Sequence, residues 1–207
     1  IAVHRMGPAD GHPVILAPGT FSNWTFWLGT RGRGFARDLA DHGFRAHVID
    51  FRGHGHSPRP APGEDWNFDD WGRQDLPAVV RDVAADGRRP FLIGHSAGGA
   101  SLLAALAAEP DVHAAVAGAI VLATPLPWLQ QWRRFAARGI RFAARRLPAF
   151  PAKLLRLGPE DELSGVMAQW MDWNLAGHWQ GRDGTSYGAA LASITTPLLF
   201  LAGAGDH

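Results

Sequence analysis

The chain has 207 residues, 46% hydrophobic and 19% charged, with a formal net charge of +1. This describes one folded domain and excludes both a disordered chain and a nucleic-acid binder held by excess charge. The absence of cysteine removes disulfides, thiolate metal sites and a cysteine nucleophile.

In chain order, short apolar runs at 13–18, 45–51, 90–95, 117–124 and 197–203 predict strands. They are near-continuous rather than alternating, as strands covered on both faces should be. Helical patterns lie between them at 34–43, 76–87 and 97–109. The expected fold is α/β: a mostly parallel sheet with helices on both faces. Residues 126–188 break the rhythm with a helical pattern holding five of the nine tryptophans, namely Trp128, Trp132, Trp170, Trp173 and Trp179. This interval is expected to be a helical lid inserted into a core made of 1–125 and 189–207.

No signal peptide or membrane span is expected, because the longest apolar run, 114–129, is broken by Pro125 and Pro127. A cytoplasmic location is the plain expectation. The chain opens on Ile1 and closes on Asp206-His207 directly after an apolar run, which reads as a fragment trimmed at both ends.

The stretch FLIGHSAGGASLLAAL, residues 91–106, sets Gly94-His95-Ser96-Ala97-Gly98 between a strand and a helix. A tight strand-to-helix turn exposes a serine, and its flanking positions must be small to let the backbones cross. Ser96 is therefore the candidate nucleophile, with Gly94 and Gly98 as the elbow glycines. The helix that follows aims its first amides at the site, so the Ala97 N–H is a candidate oxyanion donor.

Two upstream stretches, ILAPGTFSNW (15–24) and DFRGHGHSPRP (50–60), follow the first two predicted strands. Asp50, Arg52, Gly53, Gly55 and Ser57 match a D-x-R-G-x-G-x-S loop. With these, the chain resembles the α/β-hydrolase superfamily over essentially its whole length, in particular its lidded esterase, lipase and lysophospholipase-like members. The resemblance implies a second oxyanion donor at the amide of Thr20, with Phe21 as its neighbour. Many members carry His-Gly where this chain has Pro18-Gly19.

The superfamily orders its triad serine, acid, histidine. Asp206, after PLLFLAG (197–203) and a glycine-rich turn, is the expected acid. Of the ten histidines only His207 follows it, and adjacency to Asp206 makes it a poor bridge to Ser96. The catalytic histidine is expected beyond residue 207, with His178 as the rival from the lid. His54 and His56 form an H-x-H pair without a third ligand nearby in sequence, which favours a loop role over a metal. No metal or cofactor is expected.

Residues 128–157 carry seven arginines and a lysine without any acid. Trp128, Trp132, Phe135, Ala136, Gly139, Phe142, Ala143 and Leu147 recur near helical spacing, which predicts one apolar and one basic face. Such a helix either covers an acyl pocket or contacts a membrane surface. The resulting expectation is a serine hydrolase cleaving small-molecule carboxylic esters, lipid among them, with no nucleic-acid partner. Ser96 argues against dehalogenase and epoxide hydrolase chemistry, which want a carboxylate nucleophile. The alternatives are amide, thioester or carbon–carbon bond hydrolysis, acyl transfer, and a non-catalytic binding protein of the same fold.

Overall fold

The computed structural model describes residues 1–29, 33–125 and 133–205. Six strands form one sheet: β1 (Ala2–Met6), β2 (His12–Ala17), β3 (Phe44–Asp50), β4 (Phe91–His95), β5 (Gly118–Leu122) and β8 (Leu198–Leu201), in the order β1-β3-β2-β4-β5-β8. β1 runs antiparallel to β3, and every other pairing is parallel. The five strands read from the apolar runs are all present, within one or two residues at each end. β1 was not among them, since AVHRM is short and only half-buried along its length.

The pleat explains why central strands are apolar without alternation. Val14 and Leu16 on β2 point to one face, where they meet Trp27, Ala36 and Leu39 of the 3-10 turn Trp24–Leu28 and helix α1 (Phe35–Asp41). Ile15 and Ala17 point to the other face. There they pack on α3 (Leu76–Val83), α4 (Ala97–Ala108) and α5 (Pro110–Ala115). Helices thus cover both faces of a mostly parallel sheet. The helix read at 76–87 starts earlier, because α2 (Phe68–Asp70) runs into it through a π turn at Trp71–Asp75.

Between β5 and β8 lie α6 (Arg133–Ala144), a two-stranded ladder of β6 (Ala149–Phe150) and β7 (Glu162–Leu163), α7 (Ser164–Ala176) and α8 (Tyr187–Ala190). This interval has a small core of its own in Ala137, Ala144, Phe150, Ala152, Met167, Ala168 and Met171. It is also fused to the main core, to which Leu163, Val166, Trp173, Trp179 and Tyr187 belong. Trp173 and Trp179 are therefore packing residues, whereas Trp128 and Trp132 lie outside the described residues. No described helix is long and apolar enough to cross a membrane.

Candidate active site

Ser96 joins the end of β4 to the start of α4 with φ 52° and ψ −120°, a conformation that non-glycine residues avoid. Two hydrogen bonds fasten the turn: the Ser96 amide donates to the Leu122 carbonyl (2.9 Å), and the Gly99 amide to the Ser96 carbonyl (3.0 Å). The flanking glycines are required sterically. A Cβ on Gly94 would lie 2.6 Å from Gly98 O and Gly99 N, and one on Gly98 would collide with the carbonyl oxygens of Ala17 and Pro18.

Ser96, Thr20 and Ala97 meet at a cavity of about 270 Å³ whose other walls are Phe21, Phe68, Pro125, Met167, Trp170 and Met171. Apart from the serine and threonine hydroxyls the lining is apolar, and α7 supplies its roof. Neither the Thr20 nor the Ala97 amide donates to another described group, so both are free to receive an oxyanion. Phe21 is different. Its amide donates to Glu162 Oε2 at 3.0 Å, and its carbonyl accepts from the Glu160 amide at 3.1 Å. The segment leading into α7 thus grips both sides of Phe21, which sits at φ 62° beside Thr20. That grip removes Phe21 as an oxyanion donor.

The D-x-R-G-x-G-x-S loop braces the same region. Asp50 is fully buried; its Oδ1 accepts the Trp24 amide at 2.7 Å, and its Oδ2 accepts the His56 amide at 3.0 Å. Gly55, at φ 49°, passes so close that any side chain would meet the Asp50 carboxylate. Arg52 holds Asp75 through its Nε (2.8 Å) and its own amide (2.9 Å). Ser57 Oγ donates to the Asp50 carbonyl at 2.6 Å and accepts the Ala2 amide at 2.7 Å, tying in β1. The loop's residues therefore brace the segment that follows β2, at Trp24, rather than touch the cavity.

Two carboxylates from the interval between β5 and β8, which sequence reasoning missed, complete the brace. Glu160 accepts from Asn23 Nδ2 (2.7 Å), the Gly55 amide (3.2 Å) and Arg59 (3.0 Å). Burial alone would raise its pKa, but these donors outweigh it and hold the carboxyl at about 2. Glu162 is fully buried and faces His54 Nε2 at 3.3 Å, an ion-pair contact rather than an aligned hydrogen bond.

The H-x-H pair is split between these partners, His54 turning inward to Glu162 and His56 outward beside Asp50. Among the described residues, one group has metal-ligand proximity: donor atoms of His4, Asp50 and His56 lie within 4.8 Å of one another. Its geometry is already explained by hydrogen bonding, since His4 Nε2 lies 2.9 Å from Asp50 Oδ2 and the His4 ring stacks on Trp24 at 4.1 Å.

The two buried histidines have opposite effects on stability. His47 on β3 has its pKa lowered to about 4, by burial first and then by the charges of Arg5 and Arg45. A folded-state value below the ordinary 6.5 means stability is lost as pH falls from 6.5 towards 4. For His54, burial pulls down, but the Glu162 carboxylate outweighs it and the pKa is raised. That contribution is complete below pH 6.5 and is lost as pH rises through the folded-state value. In urea titrations across pH, His47→Leu is expected to flatten the acid limb of stability and His54→Gln the alkaline limb. Parallel profiles in both variants would refute the assignment.

Of the sequence-derived triad, Ser96 alone lies among the described residues. Ser96, Ala97 and Thr20 converge on one cavity. Asp206, the expected acid, lies outside the described residues, as does His207. His178 is exposed past Gly177 at the C-terminal end of α7 and lines no part of the cavity, so it is no base for Ser96. His95 stacks on Phe26 at 4.5 Å. Among the described residues, the Ser96 hydroxyl has no hydrogen bond to an imidazole.

A candidate aryl esterase from Burkholderia cenocepacia is 25% identical in sequence, with 98% of this chain and 75% of that chain covered and a TM-score of 0.56. A monoacylglycerol lipase from Paleococcus ferrophilus is 16% identical, covering 98% and 77%, with a TM-score of 0.62. A candidate epoxide hydrolase from Klebsiella pneumoniae is 20% identical, covering 98% and 76%, with a TM-score of 0.63. No curated protein matches. The model of the alpha/beta hydrolase family matches residues 14–207, nearly the whole chain and every element of the site, and the chain belongs to that family.

Proposed function

We propose that the protein is a serine hydrolase that cleaves carboxylic esters with a hydrophobic acyl or alcohol part through an acyl-enzyme. The observation that carries this reading is the convergence of the strained Ser96 with two unengaged amides, Thr20 and Ala97, at one apolar cavity. In this reading Ser96 Oγ attacks the ester carbonyl carbon while its proton passes to a histidine oriented by Asp206. The carbonyl oxygen gains the negative charge and is met by the two amides, each worth about 3 kcal/mol of transition-state stabilisation. Collapse breaks the ester C–O bond, and the alcohol departs with the proton from the histidine. Water then attacks the acyl-serine by the same route, releasing the acid and regenerating the hydroxyl.

The mostly apolar lining favours acyl groups over charged substrates, and the described part of residues 126–188 acts as the lid over that cavity. An epoxide-opening reading lacks its carboxylate, because position 96 is a serine. The test is intact mass after exposure to a fluorophosphonate probe. One adduct is expected, mapped to the peptide carrying Ser96 and absent from Ser96→Ala. No adduct on the wild type would withdraw the catalytic claim in favour of a binding protein with this fold.

A further inference from the structure

The phase of α6 runs against its amphipathic pattern. Its inner face is built from small residues, Ala137 and Ala144 being fully buried and Ile140 partly so, and it packs on α7. The larger side chains point the other way. Phe135 and Phe142, 76% and 59% exposed, share the outer face with Gly139 and Arg146 at spacings of four, seven and eleven residues. The part of the predicted apolar stripe that lies among the described residues, Phe135, Gly139 and Phe142, is therefore an outer surface, not the roof of the pocket.

Each of these rings has a guanidinium above it: Arg138 lies 5.6 Å from the centre of Phe135, and Arg146 lies 3.5 Å from that of Phe142. The acid packed against this helix is Asp172 of α7, and it is engaged by Arg141 and Arg145. Arg134, Arg138 and Arg146 have no carboxylate partner among the described residues, and residues 133–159 contain no acid. Further along the chain Leu154, Leu155 and Leu157 are exposed, and Arg156 with them, whereas Lys153 is paired with Glu160 at 3.6 Å.

We propose that the outer face of α6 docks on an anionic lipid surface, its phenylalanines entering the acyl boundary and its unpaired arginines meeting headgroup phosphates. Exposed aromatics flanked by uncompensated cations match that surface in both polarity and charge. A nucleic acid would satisfy the arginines but leave Phe135 and Phe142 without an apolar partner. The docked face lies one helix layer outside α7, whose Met167, Trp170 and Met171 wall the cavity.

The test is co-sedimentation of the purified protein with phosphatidylcholine vesicles, with and without phosphatidylglycerol. Binding is expected only when phosphatidylglycerol is present, and added salt should weaken it. Arg138→Glu/Arg146→Glu and Phe135→Ser/Phe142→Ser alter only the outer face, and each pair should lower partitioning about tenfold or more. Absent binding, or equal binding to neutral vesicles, overturns the proposal. So does self-association that the phenylalanine variant abolishes without any vesicle binding, which would assign the face to a second copy of the chain. The assay needs no ester turnover, so its outcome is independent of the hydrolase reading.

Discussion

Ser96→Ala is expected to lower ester hydrolysis by about 10⁶-fold in kcat while KM changes little. The substitution removes the atom that forms the acyl bond but leaves the cavity walls of Phe68, Met167, Trp170 and Met171 in place. What survives is binding and the two amides, roughly 10³–10⁴ over the reaction in water. Stopped-assay kinetics with a chromogenic ester measure this directly. A second variant separates chemistry from structure. The φ of 52° at Ser96 costs on the order of 1–3 kcal/mol in a side-chain-bearing residue. Ser96→Gly relieves that strain and should raise stability by about 1 kcal/mol while being equally inactive. A serine that stabilises the turn instead of serving chemistry would give the reverse: lower stability and unchanged turnover.

What was legible before the structure follows from how local each constraint is. Strands β2 to β5 declare themselves because burial on both faces favours near-continuous apolar runs, and the elbow does so because crossing backbones exclude a Cβ at Gly94 and Gly98. The loop at 50–57 is recognisable as a pattern, yet its reason is spatial: Asp50 braces the Trp24 amide, and Ser57 ties β3 to β1. Asp206 is placed by family order alone, and the described residues do not include it. The phase of α6 was not readable. Periodicity marks an apolar face but does not say whether that face or the alanine face meets α7, and here the small residues pack inward. Nor was the role of Glu162 readable, because its partner Phe21 is 141 residues away in sequence and nothing near either residue marks the pairing.

Glu162 is where that hidden pairing should be most costly to break. Its carboxylate, fully buried, accepts the Phe21 amide with Oε2 and the Leu163 amide with Oε1, and faces the buried imidazole of His54. Glu162→Ala leaves two unsatisfied amides and removes the carboxylate that raises the His54 pKa, so the contact with the buried imidazole is lost as well, a combination that destabilises by about 3–5 kcal/mol. Urea denaturation should register that loss. Folded Glu162→Ala should also lose about 10–100-fold in kcat, because Phe21 is freed and the adjoining Thr20 amide loses its aim at the oxyanion. The expected split between the kinetic constants follows from which groups move. Oxyanion alignment acts on the transition state, so kcat falls, whereas the apolar walls supplied by α7 keep KM nearly unchanged. Glu162→Gln keeps an oxygen acceptor for the amides but carries no charge to hold the proton on His54, so it should recover part of kcat and little of the stability. Two results would count against the anchor. One is a rise in KM at constant kcat, which would mean that the segment carrying Glu162 supports only the pocket. The other is an alanine variant as stable and as fast as the wild type, which would mean that the Thr20-Phe21 turn holds its shape without Glu162.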